Sequence, residues 1–171
     1  MTDQALTREF LKERGFSGFV PFAKLTEHGV PQEAGTYVVM RPCLSAPEFL
    51  ERSPAGHFQG RDPSVSREAL ADAWVDEATL LYVGKATMGK SSRRGIRKRL
   101  DEYRRHGAGE AVGHWGGRYI WQLADSDSLL VGWRPTPDRD PGEAETQLIT
   151  EFIDIHGKRP FANRNRGRRI E

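Results

Sequence analysis

Two clusters of cationic side chains are the first feature with chemical meaning. Residues 85–106 carry nine Lys and Arg against Asp101 and Glu102, and residues 157–171 carry six against Glu171. Together they hold 15 of the chain's 26 basic residues, so a net charge of +2 conceals two basic stretches and an acidic remainder. Clustered positive charge is the electrostatic footprint of a polyanion site; charge alone equally allows two solvated faces that never meet. Other chemistries find little support. Cys43 is the single cysteine, so no internal disulfide can form, and neither CxxC nor HExxH spacing occurs. The expectation for Cys43 is a small, partly buried residue. His28, His57 and His156 are scattered, and no Ser/His/Asp arrangement is suggested by spacing. In the unusual segment His114-Trp115-Gly116-Gly117-Arg118, Trp115 could stack on a base and Arg118 could touch phosphate. The favoured reading is a Gly-rich lead-in to a strand with a buried Trp.

These residues need a scaffold, and the chain of 171 residues with 37% hydrophobic content is long enough to bury one core. It reads as a single domain over 1–171, with an N-terminal extension (1–34), an insertion (42–78) and a basic C-terminal tail (157–171). Residues 4–13 have the spacing of a short helix with Leu6 and Phe10 on one side. Residues 15–31 show no clear period. Gly35–Met40 and Thr79–Gly84 are apolar, β-branched runs that predict strands. Pro, Ser and Gly in 42–66 predict an excursion from the sheet, and Ser66 can cap a helix running to Asp76. Ile96, Leu100 and Tyr103 predict a helix over Gly95–His106, stopped by Gly107. Tyr119–Leu123 and Leu129–Trp133 look like strands around an Asp/Ser turn. Gly142–His156 reads as a helix through Leu148, Ile149, Phe152 and Ile155. The expected fold class is α/β (α+β), with a small mixed, largely antiparallel central sheet flanked by helices. No apolar run approaches the roughly 20 residues of a membrane span, and the polar N-terminus lacks a signal-peptide core, so a cytoplasmic location is the default expectation.

Five short pieces fall in a telling order: Gly35-Thr36-Tyr37, Tyr82-Val83-Gly84-Lys85, Gly95-Ile96-Arg97-Lys98-Arg99-Leu100, Glu145-Thr146-Gln147-Leu148-Ile149 and Pro160-Phe161-Ala162-Asn163. The ordered set resembles the GIY-YIG nuclease family, which includes homing endonucleases, restriction enzymes and the nuclease domain of the excision-repair incision subunit. The resemblance implies catalytic roles for Tyr37, Tyr82, Arg99, Glu145 and Asn163, with Glu145 the metal ligand and Glu143 and Glu151 its fallbacks. It pairs the family's aromatic or His, one turn after the arginine, with Tyr103, His106 being the alternative. It places Lys85 beside the second motif, and the implied nucleic-acid contacts are Lys85, Arg97, Lys98, Tyr103, His106, Arg164 and Arg166. Four departures stand out: Thr36 replaces the usual Ile, the loop between the tyrosines is long, an extra basic turn precedes Arg99, and Glu145 and Asn163 are widely spaced.

The activity implied is metal-dependent hydrolysis of nucleic-acid phosphodiesters, DNA more than RNA, with Mg²⁺ or Mn²⁺ as cofactor; either specificity is low or a protein partner supplies it. The physics is coherent. A single carboxylate holds Mg²⁺ when water fills the other positions, and Arg99 offers a planar donor fork to phosphate oxygens. A free phenol ionises near pH 10, so Tyr37 acting as base, directly or through water, needs neighbouring positive charge, which Arg99 and Lys85 could supply. Taken singly, each residue has an ordinary structural role. Two other functions stay open: a catalytically silent nucleic-acid-binding module of the same fold, and a structural or protein-interaction domain.

Overall fold

In the computed structural model, which describes residues 6–164, four strands form one sheet in the order β1-β4-β2-β3. They are β1 Ser17–Pro21, β2 Gly35–Met40, β3 Leu80–Ala86 and β4 Leu130–Pro135. The fold is α+β, and every strand pair is antiparallel rather than mixed. β2 lies between β4 and β3, and all six of its residues are buried. Its side chains alternate between two cores. Tyr37 and Val39 join one, and Val38 and Met40 join the other. A register irregularity between Val39 and Met40 makes Leu81 an extra residue in β3, so Leu81 and Tyr82 both enter the Tyr37 core.

Four helices cover the sheet: α1 Arg8–Glu13, α2 Arg67–Ala73, α3 Ile96–Gly107 and α4 Pro141–His156. α3 buries Ile96, Leu100 and Tyr103 at helical spacing, against the core that holds Tyr37. Its first amides are not open: Ile96 and Arg97 donate to the carbonyls of Glu33 and Pro31. α4 starts where the Asp140 side chain accepts from the Glu143 amide and Pro141 fills the first turn. It ends at Gly157, whose φ of 74° suits glycine. Leu148 and Phe152 seat it on the opposite core with Val38 and Val83, while Ile155 stays exposed.

Four expectations change. Part of the N-terminal extension is a sheet strand: Thr7 caps α1, and β1 pairs with β4. No period shows in its sequence because Phe19 adopts φ 59° at a bulge between Gly18 and Val20, breaking the two-residue alternation. The other change concerns Tyr119–Leu123, which is no strand; Arg118–Gln122 forms a 3-10 turn. The buried Gln122 amide holds that turn against the 42–78 excursion, donating to Leu50 and Val65 carbonyls and accepting from the Val65 amide. Finally, Cys43 is exposed, its thiol 3.1 Å from the Ser45 hydroxyl. α2 ends at Ala73, short of Asp76. Among the described residues no helix is long and apolar enough to cross a membrane.

Candidate active site

The candidate site centres on Tyr37, and β2, β3, α3 and α4 each supply a group. Tyr37 stands directly opposite Gly84 across the β2–β3 pair. A Cβ at Gly84 would fall within the Tyr37 ring, so glycine there lets the phenol lie flat over β3. The Tyr37 ring centroid is 6.1 Å from that of Tyr82 and 6.3 Å from that of Tyr103. The Tyr37 hydroxyl is 2.7 Å from Nε2 of His114, and both residues are buried. His114 stacks flat on Tyr103, with centroids 3.6 Å apart and planes 3° from parallel. Tyr103 in turn donates its hydroxyl proton to the Gly117 carbonyl at 2.7 Å. Tyr103 therefore fixes the imidazole plane and, being fully buried, is not placed to touch a nucleic acid as the sequence implied.

Arg99 reaches this cluster from α3. Its Nη1 donates to the Gly113 carbonyl at 2.7 Å and to Glu102 at 3.3 Å, and 30% of its side chain is exposed. Its charge bears on Tyr37, Tyr82, Tyr103 and His114 alike. Glu145, in the first turns of α4, faces Tyr82, Lys85 and Arg99 closely enough to interact electrostatically with all three. Glu145 is half-buried and, among the described residues, makes no hydrogen bond or ion pair. Lys85 is exposed at the rim, beside Gly142 at the start of α4.

Burial dominates the acid–base character. It pushes the Tyr82 phenol up to about 12, helped by the Glu145 carboxylate and opposed by Arg99. Tyr37 is raised well above its ordinary value by burial and then by Tyr82; Arg99 opposes this and does not prevail. The expected lowering of a tyrosine by Arg99 and Lys85 is thus overturned, and Lys85 acts on Glu145 instead. Burial, then Arg99, holds His114 well below the usual histidine range, so its imidazole is neutral. The neutral imidazole and the protonated phenol share one hydrogen bond at 2.7 Å, and the opposite displacements of their acidities keep the proton on Tyr37. His114 is the residue that sequence reading passed over, because its partners Tyr37 and Tyr103 are far away along the chain. A histidine among glycines was its only signal.

The remaining candidates divide. Asn163 uses both amide atoms on β3: Oδ1 accepts from the Val83 amide at 2.9 Å, and Nδ2 donates to the Val83 carbonyl at 2.8 Å. It clamps the strand between Tyr82 and Gly84 and so positions Tyr82. His106 is buried, its Nε2 2.9 Å from the Gly56 carbonyl, and ties α3 to the excursion rather than to a ligand. Arg97 and Lys98 line a separate groove of about 840 Å³ with Leu25 and Val30. Two residues of helix rotate a side chain by about 200°, which turns Arg97 away from Arg99. Glu151 is held by Arg14 at 2.7 Å, and Glu143 is exposed. Arg164 lies half-buried over Tyr119; Arg166 lies outside the described residues.

Among the described residues no three or more His, Cys, Asp or Glu side chains group to hold a metal. A half-buried carboxylate with no protein partner is nevertheless the single-carboxylate arrangement that suits Mg²⁺, whose other ligands are water and substrate phosphate. Comparison with known proteins finds no matching family model, no matching curated protein and no matching solved structure.

Proposed function

We propose that the chain is a metal-dependent endonuclease that hydrolyses nucleic-acid phosphodiester bonds, DNA in preference to RNA, by a GIY-YIG-type mechanism. One observation carries the reading: Tyr37, Tyr82, Arg99 and Glu145, separated by up to 108 positions, interact within one cluster that is edged by Lys85. Arg99 and Lys85 bind and orient the scissile phosphate, and Arg99 stabilises the charge that develops on it. Glu145 would hold Mg²⁺ or Mn²⁺, which when bound supplies Lewis-acid polarisation of the phosphate. Tyr37, fixed by its hydrogen bond to His114, keeps its own proton and orients the attacking water through its hydroxyl, and the proton that water loses leaves to solvent. Tyr82 holds the water against Tyr37, and Asn163 holds Tyr82.

A second reading, a catalytically silent binding domain, draws on the deep burial of Tyr37, which is 1% exposed. Supercoiled plasmid separates the two. The proposal expects nicking with Mg²⁺ or Mn²⁺, lost in Glu145→Ala and Arg99→Ala. Binding without cleavage under either metal would leave the silent reading standing.

A further inference from the structure

Beside the site runs a row of alternating guanidinium groups and aromatic rings. Arg61 lies 5.6 Å from the Trp115 ring centroid, and Arg118 lies 4.6 Å from the same ring. Arg118 also covers Tyr119 at 5.5 Å, and Arg164 lies 5.9 Å from Tyr119. Trp115 and Tyr119 are half-buried, so the row is open along its length. Two of its members are tied to the site by chain neighbours. Trp115 follows His114, which contacts Tyr37, and Arg164 follows Asn163, which clamps Val83. Adjacent Cα atoms are about 3.8 Å apart, so the row flanks the cluster.

The charge of this row is unbalanced. Among the described residues Arg61, Arg118 and Arg164 form no ion pair with a carboxylate; their nearest acceptors are the Trp115 and Pro160 carbonyls. Nε of Arg118 and Nε of Arg164 are buried without a hydrogen-bond partner. Burial and the neighbouring Arg61 both work against the charge on Arg118, and burial works against that on Arg164. Collecting half-desolvated cations without counter-ions costs stability, so the arrangement points to an anion that arrives from outside. Guanidinium groups held against rings are pre-ordered, and their free N–H groups can donate to phosphate oxygens.

Resting on the nuclease reading, we infer that the Arg61–Trp115–Arg118–Tyr119–Arg164 row is the track for the phosphate backbone of the nucleic-acid strand next to the scissile bond. An extended strand repeats phosphates and flat bases, and the row repeats cations and rings. An acidic peptide would satisfy the cations and leave the rings without use.

The test measures binding of a fluorescein-labelled DNA hairpin with a single-stranded tail, in EDTA so that no cleavage intervenes. Arg61→Gln, Arg118→Gln and the double variant are compared with the wild type and with Arg8→Gln, an exposed arginine on α1. Arg61 is exposed and its hydrogen bonds to Phe58 are made by the backbone, which a side-chain substitution leaves in place, so its variant keeps the test valid if Arg118→Gln fails to fold. The double variant is expected to bind at least about tenfold more weakly. The slope of log affinity against log salt should flatten by about 0.7 for each lost single-strand contact, with Arg8→Gln unchanged. Arg61 and Arg118 variants that bind like a wild type that itself binds and nicks DNA would overturn the track and leave the proposed function intact. A wild type that neither binds the hairpin nor nicks plasmid would overturn both. Polyglutamate that binds as tightly as the hairpin, and loses as much affinity in the variants, would reassign the row to an acidic protein partner.

Discussion

A neutral imidazole and three phenols packed together give this protein a sharp dependence on pH. His114 is depressed in the folded state, so above the ordinary histidine value of about 6.5 it is neutral folded or unfolded and costs nothing. As pH falls below that value, the unfolded chain takes up a proton that the folded chain refuses, and stability declines. His106, also lowered by burial, adds in the same direction. Tyr82 works with the opposite sign. The unfolded phenol ionises near 10 and the folded one at about 12, so stability falls as pH rises through that interval. Urea midpoints measured across pH should therefore show a plateau from about 7 to 9 with declines on both sides. His114→Gln should soften the acid-side decline, and a wild-type midpoint that rises steadily on acidification would contradict the buried neutral imidazole. Gly84 makes a second residue-scale test. Gly84→Ala sets a methyl into the Tyr37 ring, so the variant should lose about 1–3 kcal/mol. It should also lose the tyrosine–histidine contact, read as a shift of the His114 ring signals in NMR.

At the scale of elements, much of the frame could be read from the sequence, because hydrophobic period and capping are local. The strands around Tyr37 and Tyr82, the Ile96–Leu100–Tyr103 face of α3 and the run of α4 follow from neighbours three or four residues away. What could not be read depends on distant partners. β1 hides behind the positive φ of Phe19, and Tyr119–Leu123 has strand-like residues but turns because Gln122 is satisfied by Leu50 and Val65. The order of motifs named Tyr37, Tyr82, Arg99 and Glu145 as candidates but not the imidazole against Tyr37, since nothing local ties position 114 to 37. Asn163 shows the same dependence: a turn former by type, it serves as a surrogate strand for β3. Asn163→Ala removes a donor and an acceptor from the Val83 backbone, so it should cost about 1–3 kcal/mol in chemical denaturation. Asn163→Asp keeps the acceptor alone and should retain part of that. Equal stability in all three proteins would contradict the clamp.

For the whole molecule, the division of charge seen in the sequence acquires a shape. The basic residues of α3 split between two faces, with Arg99 turned to the phenols and Arg97 and Lys98 turned to the groove beside Leu25 and Val30. The described part of the C-terminal stretch meets the site through Asn163 and the aromatic row through Arg164. The row lies beside the cluster, and the unpaired Glu145 carboxylate stands near Lys85 and Arg99.

The central claim is that Glu145 and Arg99 act on one phosphate. Its most direct test is the rate of Mg²⁺-dependent plasmid nicking by the wild type, Glu145→Gln and Arg99→Lys, each shown folded by its thermal transition. The account predicts metal-dependent nicking by the wild type and a loss of at least about 100-fold in each variant. Nicking that persists undiminished in Glu145→Gln, or a wild type that never cuts with either Mg²⁺ or Mn²⁺, would contradict it.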